Sequence, residues 1–165
     1  MNADLAQLQS HRIFASLSPI EAETLATAGE VLYLQDGALL FDAGDRADGF
    51  YVVLGGILEV RVEGKTLASI GAGEVVGEMG LVTADRRSAA VVTVAEGSVW
   101  HLGGAGFEAL LQSGDPMATG ILLGIARDMS RRFREVVDEA AELVPRVTAL
   151  PGGPALIERM NWGEM

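Results

Sequence analysis

The chain carries the run Val76-Gly77-Glu78-Met79-Gly80-Leu81-Val82-Thr83-Ala84-Asp85-Arg86-Arg87-Ser88-Ala89-Ala90. Glu78 and Arg87 stand nine positions apart in a stretch that is largely small and apolar. Small residues let a ligand approach the main chain and leave N–H groups open to it. A short helix starting after Gly77 would turn its first amides toward an anion. Arg87 adds a fixed positive charge that can hold a phosphate through two parallel hydrogen bonds. Ser88 adds a hydroxyl donor and Ala89 a backbone amide. Glu78 would repel a phosphate, but a carboxylate accepts well from a sugar hydroxyl. These residue types suit a ligand with one phosphate beside a free hydroxyl, a nucleotide or a sugar phosphate. The same spacing also suits a plain Glu–Arg ion pair in a glycine-rich turn. Residue types alone leave both readings open.

The elements that must position these groups follow from periodicity. Ser18-Pro19-Ile20-Glu21 is a capping box with a first-turn proline, and Gly29 falls just past the end of the helix it opens. From residue 30 the period shortens to that of strands, with turn signals at Asp36-Gly37, Gly55-Gly56, Glu63-Gly64-Lys65, Gly71-Ala72-Gly73 and Glu96-Gly97. Short strands at this spacing predict an all-β barrel or jelly roll over 30–103. Leu5, Leu8 and Ile13 give a weak helical pattern before it. After it come a short helix from Gly104 and a long one opened by Asp115-Pro116. The long helix carries Leu122, Ala126, Met129, Phe133, Val136, Ala140 and Leu143 in alternating steps of four and three. That pattern suits either a helix lying on the barrel of its own chain or one pairing with a second copy over 117–144. Pro145 is read as its end. The domain is thus expected over 1–144 (helices 1–29, β-roll 30–103, helices 104–144), with 145–165 as a Pro- and Gly-containing tail.

Composition narrows the function. A chain of 165 residues that is 49 % hydrophobic can bury one core. Its net charge of −11 argues against nucleic-acid binding, which draws on cations that neutralise phosphates. There are no cysteines, so disulfides and thiolate metal sites are ruled out. No signal peptide opens the sequence, and no apolar run approaches the ~20 residues of a membrane helix. The expectation is a cytoplasmic protein without membrane insertion. His11 and His101 stand apart from paired acids, so no metal site is expected, and His101 reads as structural. The basic cluster Arg127–Arg134 reads as a solvated helix face with Asp128 and Glu135 as partners. Nothing in the sequence supports an enzyme.

The opening run resembles the phosphate-binding cassette of cyclic-nucleotide-binding domains, found in catabolite-activator-type regulators, kinase regulatory subunits and nucleotide-gated channels. Gly77-Glu78-Met79-Gly80-Leu81 and Arg87-Ser88-Ala89 match its two ends at the family's spacing. Gly37, Phe41, Gly44, Asp45, Asp48, Tyr51, Gly56 and Val60 match the upstream signature, and the resemblance runs from about residue 5 to 144. It implies a β-roll with N-terminal helices and a long C-terminal helix, in a cyclic-nucleotide sensor that has no output domain of its own. It implies that Arg87 binds the cyclic phosphate and Glu78 the ribose 2′-hydroxyl, with Gly77, Met79, Gly80, Ser88 and Ala89 lining phosphate and sugar. Arg132 lies near where some members reach back to the ligand. The implied ligand is a cyclic nucleotide, cyclic AMP favoured over cyclic GMP, and the implied partners are a homodimer through 117–144 and a further protein.

The chain departs from the pattern in three places. Arg86 replaces a common proline and is read as solvent-facing. Ala90 replaces a common threonine. Val136 and Val137 stand where some members contact adenine through a polar group. The alternative readings are a module of the same fold that binds no nucleotide or another phosphate, and a transcription regulator lacking its DNA-binding domain.

Overall fold

The structure, a computed structural model, describes Leu8 and residues 11–83 and 85–148. Its chain forms two compact units, Met1–Ile125 and Ala126–Met165.

The first unit is built on six strands: β1 (Glu30–Leu34), β2 (Leu39–Phe41), β3 (Gly49–Val62), β4 (Lys65–Gly71), β5 (Val75–Val76) and β6 (Ala90–Gly103). They form one antiparallel sheet in the order β1-β6-β3-β4, with β2 also on β6 and β5 also on β3. Alternation along β3 and β6 divides the apolar residues between two faces. Phe50, Val52, Leu54, Trp100 and Leu102 join the core shared with the helices, where Phe14, Leu25, Phe107, Ile121 and Ile125 are buried. Tyr51, Val53 and Val99 join Leu58, Ile70, Val76 and Val91 in the second core.

Among the described residues the named α-helices are α1 (Pro19–Ala28), α2 (Glu78–Thr83), α3 (Gly104–Gln112) and α4 (Pro116–Thr148). The capping box of α1 forms in full: Ser18 N donates to Glu21 Oε2 at 2.7 Å, and Glu21 N donates to Ser18 Oγ at 3.3 Å. These bonds also hold the Glu21 carboxyl below its ordinary pKa. Gly29 ends α1 with an extended backbone rather than a left-handed one. It must be glycine for another reason. A Cβ there would stand 2.4 Å from the Trp100 ring. The same indole donates from Nε1 to Ala26 O at 3.1 Å, which ties the end of α1 to β6. Asp115 caps α4 by accepting from Met117 N at 2.9 Å.

The structure departs from the sequence reading in two elements. Gly55-Gly56 and Glu96-Gly97 do not end strands; β3 and β6 run through them with register shifts. The glycines are there because the two strands press together at a bend. A Cβ on Gly97 would meet Gly55 O at 2.0 Å, and one on Gly56 would meet Ala95 O at 2.5 Å. Glycine inside a strand thus marks close backbone approach here, not a turn. The long helix also continues through Pro145 to Thr148. Proline removes one N–H and crowds the carbonyl four residues earlier. Residues 138–145 are exposed, so water can serve the Ala141 carbonyl. At the N-terminus, Leu8 is helical and a 3-10 turn spans Arg12–Phe14. Leu5 and the tail beyond 148 lie outside the described residues.

Candidate functional site

Strand β5 delivers the chain to Gly77, whose φ of +82° is left-handed. The Gly77 carbonyl accepts from Arg87 Nη1 at 2.8 Å. A Cβ at Gly77 would lie 2.4 Å from that same nitrogen, so the position needs glycine for backbone and contact alike. Helix α2 follows at once, with Glu78 and Gly80 buried. A Cβ on Gly80 would stand 2.6 Å from Ala47 Cβ, so α2 sits hard against the 42–48 loop.

The second end of the run is clipped to that loop. Arg87 N donates to Asp45 O at 2.9 Å, and Gly44 N donates to Arg87 O at 2.8 Å. Arg86 is exposed, as expected, but its Nη1 donates to Gly44 O at 2.8 Å and adds a third clip. With the backbone fixed on both sides, the Arg87 side chain turns inward and is almost wholly covered, the residue being 4 % exposed.

Burying a guanidinium is costly unless anionic and dipolar partners surround it. Arg87 has three. Nη2 stands 2.5 Å from Asp48 Oδ1, Nη1 meets the Gly77 carbonyl, and the Phe41 ring lies 4.1 Å from the guanidinium carbon. Its Nε has no hydrogen-bond partner among the described residues. The Asp48 side chain is itself 61 % exposed. Tyr51 supports it, donating its phenol to both carboxylate oxygens at 3.2 and 3.3 Å. Burial above all, then the Asp48 charge, pushes the Tyr51 pKa up to about 12, while Arg87 opposes the shift. Tyr51 therefore stays a donor at neutral pH. Its ring is stacked with Phe41 at 5.8 Å and with His101 at 4.5 Å.

The structure thus brings Gly77 and Arg87 into direct contact and buries Glu78, Gly80 and Ala89 on the same segment. Ser88 and Met79 are exposed. Arg132 belongs to the second unit, where its Nε lies 2.9 Å from Asp128 Oδ2. Sequence reasoning gave no role to Asp48, Phe41 or Tyr51, although all three stand in the upstream signature. A buried arginine needs a counter-charge, and that requirement was the available signal. In the second unit Asp128 also takes Arg131 Nη2 at 3.0 Å, and Glu135 takes Arg131 Nη1 at 2.6 Å, so Arg131 and Arg132 of the basic cluster have the expected acidic partners.

The donors left on Arg87 fit a small anion. The unpartnered Nε is a buried charged donor, and an oxyanion arriving there could also replace the exposed Asp48 carboxylate.

Residues 31–114 match the family model of the cyclic nucleotide-binding domain, and the chain belongs to that family. Among curated proteins it is 30 % identical over 128 residues to an uncharacterized NTE family protein of Mycobacterium tuberculosis, covering 77 % of this chain and 22 % of that one. The chain therefore spans about a fifth of the length of this relative. A cyclic nucleotide-binding domain from Methylobacillus flagellatus shares the fold, with a TM-score of 0.73 at 23 % identity over 83 % of each chain. The regulatory domain of Toxoplasma gondii PKA, crystallised with cAMP, has a TM-score of 0.60 at 25 % identity, covering 66 % of this chain and 45 % of that one. Among the described residues no helix is long and apolar enough to cross a membrane.

Proposed function

We propose that the domain is a regulatory sensor that binds cyclic AMP in preference to cyclic GMP. Arg87 holds the cyclic phosphate and Glu78 the ribose 2′-hydroxyl. Gly77, Met79, Gly80, Ser88 and Ala89 line the two groups. The observation that carries this reading is the buried Arg87 guanidinium, fixed on two edges and without a hydrogen-bond partner at Nε among the described residues. The cyclic AMP bound to the Toxoplasma relative and the weight of Glu78 beside a phosphate donor set point the same way. No bond is made or broken. Ligand binds one arrangement of the long helix better than another, and the shift is passed to a second copy through 117–144 or to a further protein. The setting is cytoplasmic.

Titration calorimetry with cyclic AMP and cyclic GMP tests the proposal. Arg87→Ala removes two charge-assisted hydrogen bonds, each worth about 1.5–3 kcal/mol, and should weaken binding by at least about a hundredfold. Arg87→Lys keeps the charge but not the planar fork and should fall between. Full affinity in a folded Arg87→Ala variant would remove Arg87 from the pocket. A second reading, a module of the same fold that binds no nucleotide, draws on Asp48, which already neutralises one edge of Arg87. It predicts no heat with either nucleotide and no change in melting temperature.

A further inference from the structure

Strand β6 carries a buried hydroxyl that the anion site does not use. Thr93 is 1 % exposed, and its Oγ1 has no hydrogen-bond partner among the described residues. The backbone does not need that hydroxyl. Thr93 N donates to Ala38 O at 2.8 Å, and Gly37 N donates to Thr93 O at 2.8 Å, so both main-chain groups are spent on the turn before β2. Thr93 stands opposite Leu58 in the ladder, and residues directly opposite point to the same face. That face is the second core, where Leu58 packs with Val91 and Ile70. A hydroxyl among apolar neighbours costs stability when it is unpaired, and valine fills the same space without that cost. The hydroxyl therefore calls for a partner from outside the chain.

Its position says which partner. Val91 precedes Thr93 by two residues, so the two share a face. Val91 pairs with Phe41, and the Phe41 ring carries the Arg87 guanidinium 4.1 Å from its centre. Thr93 thus lies one step of about 7 Å along β6 from the pair beneath Arg87. A nucleotide with its phosphate on Arg87 and its ribose hydroxyl on Glu78 has one polar part left, the base.

We propose that Thr93 is a specificity-determining residue, whose hydroxyl hydrogen-bonds the polar edge of the nucleobase. This rests on the cyclic-nucleotide reading of Arg87 and Glu78, and adds to it a base contact inside the β-roll. The apolar residues of the second core give the base its packing surface, and Thr93 gives it one fixed polar point. The cost carried by the free protein becomes discrimination: a base that offers no matching group leaves the hydroxyl buried and unpaired.

Thr93→Val keeps the shape and deletes the hydroxyl. Calorimetry with cyclic AMP and cyclic GMP should show the tighter of the two weakened about tenfold, with the ratio between them reduced. Thr93→Ser keeps the hydroxyl and should retain most of that ratio. Thermal unfolding of the free protein supplies a second reading. Thr93→Val should melt at the same temperature as the natural sequence or higher, because an unpaired polar group has been removed. Undiminished affinity in Thr93→Val overturns the base contact and leaves the Arg87 assignment standing. Equal weakening of both nucleotides overturns the discrimination, since the hydroxyl then serves what the two ligands share. A lower melting temperature for Thr93→Val shows that the hydroxyl is already satisfied in the free protein, and also overturns the inference. If the natural sequence binds neither nucleotide, the proposed function falls and this inference with it.

Discussion

Replacing Gly77 by alanine tests whether backbone geometry positions Arg87, the residue proposed to hold the phosphate. The substitution changes no charge. It forces a Cβ-bearing residue to hold φ at +82°, at a cost of about 1–2 kcal/mol. It also places a methyl group 2.4 Å from Arg87 Nη1. The guanidinium must withdraw, and its bond to the Gly77 carbonyl, about 1.5–3 kcal/mol for a charged donor, is weakened or lost. Gly77→Ala should therefore lose about 2.5–5 kcal/mol of stability. Gly73→Ala is the matched control. Gly73 has a φ of +85°, and a Cβ there meets nothing within 4 Å. It bears the backbone cost alone, about 1–2 kcal/mol, or roughly 2–8 °C in melting temperature for a chain of this size. Denaturant unfolding gives the stabilities, and calorimetry with cyclic AMP gives the affinities. Gly73→Ala should bind as the natural sequence does. Gly77→Ala should bind about ten- to a hundredfold more weakly, because a displaced guanidinium loses one phosphate bond. Equal affinity in the two variants would refute the argument that Gly77 sets the position of Arg87.

Three further outcomes follow from the same contacts. Asp48→Asn keeps the shape but removes the charge facing Arg87, and should cost about 1–2 kcal/mol in urea unfolding, less than for a fully buried pair because Asp48 is largely exposed; an unchanged midpoint would show that the pair contributes nothing. Tyr51 has a folded-state pKa raised from 10.0 to about 12, so its contribution to stability is complete below pH 10 and is lost as pH climbs toward 12, where the unfolded chain ionises first. Absorbance of phenolate should lag in the folded protein, and Tyr51→Phe should remove that part of the alkaline loss; ionisation of Tyr51 near pH 10 without unfolding would contradict it. Trp100→Phe strips the bond to the buried Ala26 carbonyl and should cost at least about 2 kcal/mol by thermal unfolding, with a melting temperature like that of the natural sequence as the result against it.

Much of the fold was legible because local signals and tertiary demands agree. The capping box at Ser18, the hairpin at Glu63-Gly64 and the Asp115 cap each form where their residue types require them. The two misread glycine-containing dipeptides show where legibility stops. Gly55-Gly56 and Glu96-Gly97 look like turns because glycine is the commonest turn residue, yet they lie inside strands. The reason is a neighbour more than thirty residues away, and no local pattern carries that distance. Pro145 failed in the opposite sense: it looked like a stop, but an exposed helix end tolerates one lost hydrogen bond. The site divides the same way. The run that type and spacing singled out does bring Gly77 and Arg87 into contact and bury Glu78. The contacts of Arg87 with Asp48 and Phe41 were not, because both residues come from the other side of the sheet's connectivity.

The sequence by itself determined the family, the class of fold with its flanking helices and the charge division along α4. These depend on residue type, spacing and periodicity, which are properties of the chain. Only the tertiary structure decided that Arg87 is buried, that Asp48 and Tyr51 attend it, that Arg86 is spent on clipping the 42–48 loop, and that Gly29 is required by a tryptophan rather than by its own dihedral angles. The physical reason is that burial and counter-charge arise between segments distant in sequence, and the chain acquires them only when β3 and β6 fold against each other and set the loops beside them.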